Sequence, residues 1–234
     1  MIFTIPVFII IMLILIFSYK HFNQKQDKFI VLVLLYALFL LKLTEYTIYG
    51  LTLNYQKTPI EFSTMSYFVF SISIIFNIKW IKEFATFAAY ISGVGYLFSF
   101  IFIGQSYFEN QTLYDASFAL INHTILFYTS ILVMKHEYFK SKNNLFIYFM
   151  TIIFLIYYVI MNQLISFNNP AIFINMLLQG DLLRYVVKSD QISTTTLWIY
   201  FICIILLYRF MIFTFHYINK KIYRSEVTDY EHTI

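Results

Sequence analysis

The sequence predicts an all-α fold, a polytopic transmembrane helical bundle of seven helices. Of its 234 residues, 60% are hydrophobic and only 12% are charged, and the mean hydropathy is +0.72. A soluble domain carries about 25% charged residues, so this composition excludes one. The apolar runs are continuous, whereas the strands of a membrane β-barrel alternate over segments of about 10 residues. Helices are therefore the only spanning structure that fits.

Seven apolar runs are long enough to cross a hydrocarbon core of about 30 Å. In chain order they are 2–18, 29–53, 60–77, 84–104, 116–134, 145–167 and 195–218. No polar stretch between them is long enough to fold alone. We therefore predict one transmembrane domain over residues 1–219 and a tail at 220–234. The first run lacks a basic residue before it and a small-residue cleavage site after it, so we interpret it as a retained helix.

The basic residues of the connections predict the orientation of the chain. Alternate connections receive eleven Lys or Arg residues on one side and three on the other. The eleven are Lys20, Lys25, Lys28, Lys79, Lys82, Lys135, Lys140, Lys142, Lys220, Lys221 and Arg224, and the three are Lys57, Arg184 and Lys188. Cytoplasmic loops carry the excess of basic residues. We therefore expect a multi-pass protein of the cell (cytoplasmic) membrane, with its N-terminus outside and its C-terminus cytoplasmic.

Several kinds of partner are not expected from this sequence. No clustered basic face on a soluble module is present, so we predict no nucleic-acid binding. The single cysteine, Cys203, cannot form a disulfide within the chain. His136 and Glu137 are adjacent rather than spaced i, i+4, so we predict no metal site. We expect no cofactor, and membrane lipids as the partners; the sequence names no protein partner.

Polar residues converge on the outer half of the predicted bundle. They are Lys42 and Glu45 of the second span, Glu61 and Ser63 of the third, Asn122 and His123 of the fifth, and Asn162 of the sixth. Ionisable groups inside a membrane are costly and usually mark a site or a structural ion pair. Lys42 and Glu45 are spaced i, i+3, which favours mutual neutralisation. In "ISGVGYLF" of the fourth span, Ser92, Gly93 and Gly95 predict a close helix approach.

The segment "TPIEFSTMSYF", residues 58–68, resembles the Leu-Pro-x-x-x-Cys/Ser segment that opens the third span of the YwaF-like family of bacterial integral membrane proteins. Pro59 matches the family proline, and Ser63 stands where many members have cysteine. "FALINHTILFY" resembles the family's fifth helix with its histidine, here His123, and "YYVIMNQLISFNNPAIFI" resembles the asparagine-rich exit of its sixth helix. The frequent Ile, Phe, Tyr, Lys and Asn residues are typical of an AT-rich bacterial genome.

The family is similar to a eukaryotic membrane acyltransferase that moves fatty acyl chains between phospholipids. The resemblance implies that Ser63 is the nucleophile and His123 its general base. Glu45 or Glu61 would then orient the imidazole, and Asn122 or Asn162 would donate to an oxyanion. Serine is a weaker nucleophile than cysteine, so this difference between Ser63 and the family pattern implies altered chemistry or none.

Two further classes of function fit the same residues. Lys42, Glu45, Glu61 and His123 would form the charged site of a small-solute or ion carrier, with Ser63 satisfying a backbone carbonyl. Alternatively, the protein is a non-catalytic membrane scaffold whose tail, "NKKIYRSEVTDYEHTI", recruits a cytoplasmic partner. A lateral opening between helices would favour lipid chemistry, and an aqueous path from one face would favour a carrier.

Overall fold

The structure, a computed structural model, describes residues 4–110, 112–140, 144–165 and 193–231. Within these ranges the chain forms seven α-helices, one short 3-10 helix and no β-strand. The α-helices are α1 (Thr4–His21), α2 (Gln24–Leu51), α3 (Phe62–Ile75), α4 (Lys79–Asn110), α5 (Leu113–His136), α6 (Asn144–Ile165) and α7 (Thr194–Glu231). The 3-10 helix, Tyr55–Lys57, lies between α2 and α3. The all-α fold with seven helices is confirmed, and the third helix is shorter than the predicted span 60–77.

Six of these helices, all except α3, are long and apolar enough to cross a membrane. The protein is therefore a multi-pass membrane protein. Helix α7 continues unbroken past residue 219 to Glu231, so the described part of the predicted tail extends the last helix. Of the basic residues that predict the orientation, Lys142, Arg184 and Lys188 lie outside the described residues.

Helices α4 and α5 form the centre of the bundle. Within their apolar windows 61% and 56% of the residues are buried, against 6% to 22% in α1, α2, α6 and α7. Helices α1, α3 and α6 pack against α4, α2 packs against α3 and α5, and α7 packs against α4 and α5. The main core contains Phe70, Phe87, Leu126 and Phe215, all fully buried. In a bilayer the exposed apolar faces of the outer helices contact lipid.

Helix α3 is the short member of the bundle, with 14 residues. At 1.5 Å per residue it covers about 21 Å, less than the hydrocarbon core. The chain before it is also enclosed, because Ile60 is buried and the Tyr157 hydroxyl of α6 donates to the Pro59 carbonyl over 3.1 Å. Non-helical backbone at membrane depth is tolerated where protein surrounds it. The sixth helix therefore protects the entry to α3.

Helix ends are fixed by local side-chain caps. Asn23 forms a capping box at the start of α2, accepting from the Gln26 amide over 3.0 Å while the Asn23 amide donates to the Gln26 side chain over 2.9 Å. Thr112 caps α5 by accepting from the Asp115 amide over 3.1 Å. The turn between α3 and α4 uses Asn77 in the left-handed region, with φ of 50°. Asparagine adopts this conformation more readily than most residues.

A buried ion-pair cluster links the end of α5 to the first turn of α2 and the end of α1. Asp27 is fully buried, and its Oδ2 lies 2.9 Å from both the Lys135 ammonium and the Nε2 of His136. The Lys135 ammonium also donates to the Tyr19 carbonyl over 3.1 Å. We name Asp27, Lys135 and His136 the Asp27 cluster. It lies at the end of the bundle that the basic residues predict to be cytoplasmic.

Asn219 ties α7 to the same end of α5. Its side-chain amide donates to the carbonyls of Met134 (3.0 Å) and Glu137 (2.8 Å), and its oxygen accepts from the Phe139 amide over 2.9 Å. Carbonyls at the C-terminal end of a helix have no partner within the helix, and Asn219 supplies one for two of them. A single buried asparagine thus closes the C-terminal end of α5.

The predicted close approach of α4 occurs at Gly93. A Cβ built there would lie 2.6 Å from the Phe127 nitrogen of α5, whereas a Cβ at Gly95 would meet nothing within 4 Å. Side chains larger than hydrogen therefore cannot fit at Gly93 unless the two central helices separate.

We expect Gly93→Ala to destabilise the protein by about 1–3 kcal/mol, the usual range for an overpacked core. Gly95→Ala is the matched control, and we expect it to be neutral or stabilising because alanine is the better helix former. Reversible unfolding in mixed micelles measures both. Equal stability of the two variants would contradict the close contact.

Candidate functional site

A groove lies between the second half of α2, the start of α3 and the first half of α5. It has a volume of about 780 Å³. Its polar and aromatic lining includes Lys42, Glu45, Tyr49, Tyr67, Asp115 and Asn122. We name this space the α2–α5 groove. Ligand pockets usually have volumes of about 300–1,000 Å³.

An ion pair is fixed inside the groove. The Lys42 ammonium lies 2.7 Å from Oε2 of Glu45, and the Tyr49 hydroxyl donates to Oε1 of Glu45 over 3.1 Å. Lys42 is only 7% exposed, and its ammonium lies 5.0 Å from the ring centroid of Tyr67 and 5.4 Å from that of Phe118. Contacts of this kind stabilise a cation within about 6 Å of an aromatic face. The predicted neutralisation of Lys42 by Glu45 is confirmed.

Asn122 is a buried amide that faces the same groove. It is 3% exposed and lines the cavity. Within the described chain its side chain makes no hydrogen bond. An amide carries both N–H donors and an acceptor oxygen, and here none of them is used by the described residues. Asn122 is therefore a donor and acceptor available to a molecule in the groove.

His123 lies one layer behind the groove and connects three helices. Its Nδ1 is 3.1 Å from the Ser92 carbonyl of α4, and its Nε2 is 3.1 Å from the Tyr67 hydroxyl of α3. Its ring stacks on Tyr96 with centroids 4.2 Å apart and planes 3° from parallel. Because a carbonyl only accepts, Nδ1 donates, and in the neutral ring Nε2 then accepts from Tyr67. His123 thereby holds Tyr67, which lines the groove.

Ser63 does not reach His123. It is half-buried and makes no hydrogen bond with the described residues, while both ring nitrogens of His123 are engaged by other groups. The hydroxyl near the histidine layer is that of Ser66, which donates to the Phe62 carbonyl over 2.7 Å and lies 3.1 Å from the Ser92 hydroxyl. A nucleophile and its base are expected within about 3.2 Å. The catalytic role of Ser63 and His123 stays a prediction.

The structure places two of the other four predicted site residues in the groove and two outside its lining. Glu45 and Asn122 line the groove, whereas Glu61 and Asn162 are not among its lining residues. Glu61 is half-buried at the N-cap of α3, without a side-chain capping bond. Asn162 lies half-buried near the end of α6, which packs against α4. Neither acts on His123 through a recorded hydrogen bond.

Sequence reasoning missed the aromatic and acidic part of the groove. The residues missed are Asp115, Phe118 and Ala119 of α5 and Tyr46 and Tyr49 of α2. With the predicted Asn122 they complete one set on α5, and with the predicted Lys42 and Glu45 they complete another on α2. Both sets follow the 3, 4, 7 spacing of one helix face. This periodicity was the available signal, but aromatic residues on membrane helices are also typical of the interface belt.

Among the described residues, no three His, Cys, Asp or Glu side chains come together as a metal site. The described fold and groove define a class: a multi-pass α-helical membrane protein with a polar groove in one half of its bundle. The chain matches no protein-family model, and comparison with curated proteins and with solved structures finds no similar protein. The groove is therefore the feature of this protein that indicates a function.

Proposed function

We propose that this protein binds a membrane lipid in the α2–α5 groove, with the polar end of the lipid inside and its acyl chains along the bilayer-facing surface. The observation that carries this proposal is the groove's combination of a fixed ion pair, the free amide of Asn122 and an apolar lateral rim. Leu40 and Ile48 of α2 line the groove while being 57% and 52% exposed. In a membrane, such exposed apolar side chains contact lipid.

The lateral side of the groove supports a lipid rather than a small solute. The described lining comes only from α2, α3 and α5, and its exposed apolar residues Leu40 and Ile48 lie on α2, so we take this side of the groove as its opening to the bilayer. A lipid can enter from the bilayer through such an opening without leaving the apolar phase. A solute carrier requires instead an aqueous path from one face.

Binding is proposed here in preference to acyl transfer. The resemblance to YwaF-like proteins, bacterial origin and acyltransferase chemistry remain expectations of the sequence. Acyl transfer needs an activated nucleophile, and Ser63 has no hydrogen bond to the imidazole of His123 in this structure. The hydrogen bonds of His123 to Tyr67 and Ser92 support a positioning role instead.

The unequal distribution of Lys and Arg between the two sides also indicates which leaflet would supply the lipid. With the N-terminus outside, the Asp27 cluster lies at the cytoplasmic end and the groove lies in the outer half of the bundle. The lipid would then come from the outer leaflet of the cytoplasmic membrane, and the protein would be multi-pass with a cytoplasmic C-terminus.

A groove-filling substitution tests the proposal. Ala119 is half-buried and lines the groove, so we expect Ala119→Phe to displace the lipid. The matched control is Ile121→Phe, since Ile121 is 54% exposed on the same helix and does not line the groove. Native mass spectrometry of protein released from detergent, after incubation with a defined phospholipid mixture, counts the lipids that stay bound. We expect at least a tenfold loss in the groove variant alone, comparable to other large changes at a binding hot spot.

Two results would overturn the proposal. One is equal lipid retention by wild type, Ala119→Phe and Ile121→Phe, which would assign the bound lipid to the general surface. The other is the absence of any lipid that survives stepwise delipidation of the folded wild type.

A further inference from the structure

We infer that the α2–α5 groove selects an aminophospholipid, with its amine at Asp115, its phosphate at Lys42 and a glycerol ester carbonyl at Asn122. This inference rests on the proposed lipid binding and names the headgroup class. It is based on the charged groups, the aromatic rings and the Asn122 amide that line the groove from α2 and α5.

The charge of the groove favours a ligand that carries a cationic group. Its described lining holds one cation, Lys42, and two carboxylates, Glu45 and Asp115. Lys42 pairs with Glu45, and Asp115 has no ion pair among the described residues. Asp115 is held instead by the Thr112 hydroxyl, which donates to its Oδ2 over 2.6 Å. The described residues therefore leave one negative charge unneutralised near the start of α5, and like charge disfavours an anionic headgroup there.

Aromatic rings stand beside this carboxylate. Tyr114 stacks on Phe118 with centroids 5.3 Å apart, and Tyr46 meets Tyr49 edge to face with centroids 5.8 Å apart. All four of these side chains line the groove. An ammonium group binds well to aromatic faces next to a carboxylate. The protein's own Lys42 ammonium already sits over two such rings, so the lining is suited to cations.

Lys42 and Asn122, farther from the helix ends than Asp115, can donate hydrogen bonds to the phosphate and to a glycerol ester. The Lys42 ammonium has three N–H donors, and its recorded side-chain hydrogen bond uses one, to Glu45. The amide of Asn122 is 3% exposed and makes no hydrogen bond within the described chain. A phosphate oxygen accepts from an ammonium, and an ester carbonyl accepts from an amide N–H.

The two levels at which these groups lie along the helices fit the length of an aminophospholipid headgroup. Asp115 lies about 3 Å from the start of α5, whereas Asn122 lies about 13 Å from it. Glu45 and Lys42 lie about 9 and 13 Å from the end of α2, and the Lys42 ammonium reaches towards Glu45. The Asp115 carboxylate thus lies nearer the end of the bundle than Lys42 and Asn122, as the amine of the lipid lies outside its phosphate and ester.

Lipid competition with matched acyl chains tests the headgroup. Phosphatidylethanolamine, phosphatidylglycerol and diacylglycerol are added separately to delipidated full-length protein, and the soluble glycerophosphoethanolamine forms a fourth arm. We expect phosphatidylethanolamine to bind about tenfold more tightly than phosphatidylglycerol, the usual effect of one charge-assisted hydrogen bond. In Asp115→Asn this preference is lost while binding of diacylglycerol is unchanged. Glu137→Gln, at the opposite end of the bundle, is the control and keeps the preference.

The outcomes separate the two proposals. Equal binding of the two phospholipids, or a preference unchanged in Asp115→Asn, overturns the headgroup assignment and leaves lipid binding standing. Failure of every lipid to bind overturns both. Soluble glycerophosphoethanolamine that binds as tightly as the lipid would identify a free headgroup as the ligand and overturn the lipid source.

Discussion

Asp27→Asn is expected to lower the free energy of unfolding by about 3–5 kcal/mol, the usual effect of removing one partner from a buried ion pair. Asp27 is 0% exposed and Lys135 is 4% exposed, so water cannot take over from the missing carboxylate. The substitution keeps the size of the side chain and removes only its charge. The Lys135 ammonium then remains buried without its counter-charge.

Reversible unfolding in mixed micelles measures this effect, and a double variant identifies its cause. Lys135→Gln in the Asp27→Asn background removes the uncompensated charge, so we expect part of the stability to return. Lys82→Gln is the control for an ion pair that faces solvent, because its partner Glu137 has a side chain 41% exposed. Exposed pairs contribute about 0–1 kcal/mol. A change for Asp27→Asn no larger than that of Lys82→Gln would reject the structural role of the cluster.

His123→Ala is expected to lower the free energy of unfolding by about 3 kcal/mol, as is typical of large-to-small changes in a core. The variant removes the partner of the buried Tyr67 hydroxyl and the ring that stacks on Tyr96. Lipid binding should weaken as well, since Tyr67 lines the groove and would lose the contact that fixes its position.

Ser63→Ala is the comparison that separates a positioning role from catalysis. Ser63 makes no hydrogen bond within the described chain, so we expect a change within about 0.5 kcal/mol. The acyl-chain distribution of phospholipids in cells that express wild type, Ser63→Ala and His123→Ala at matched levels supplies the second readout. Loss of a wild-type change in both variants, with both folded, would support acyl transfer and contradict the positioning role of His123.

Sequence patterns predicted the features of this protein that depend on residues close together in the chain. The helices follow from long apolar runs, because backbone groups in a bilayer must be satisfied within the segment. The pair of Lys42 and Glu45 lies on one helix, so its spacing alone brings the charges together. The close approach at Gly93 was predicted in the same way, although only the structure identifies Phe127 as the neighbour.

Contacts between helices could not be predicted in the same way. Asp27 lies in the first turn of α2, where an acidic residue is ordinary, and its burial depends on Lys135 and His136, more than 100 residues away along the chain. The sequence likewise did not predict the hydrogen bonds of His123 to Tyr67 of α3 and Ser92 of α4. The sequence placed Ser63 and His123 in the same half of the bundle, but that does not determine which face of each helix meets the other.

The amino-acid sequence by itself determined that this protein crosses the membrane many times as helices, and where most of those helices lie. Burial of apolar side chains in lipid depends on composition and length alone, so no tertiary contact is needed to predict it. Only the tertiary structure decided which polar residues line the groove and which are buried in hydrogen bonds between helices. The reason is physical: the rotation of each helix about its axis is set by packing against its neighbours, and that rotation directs Asn122 to the groove and His123 to the core.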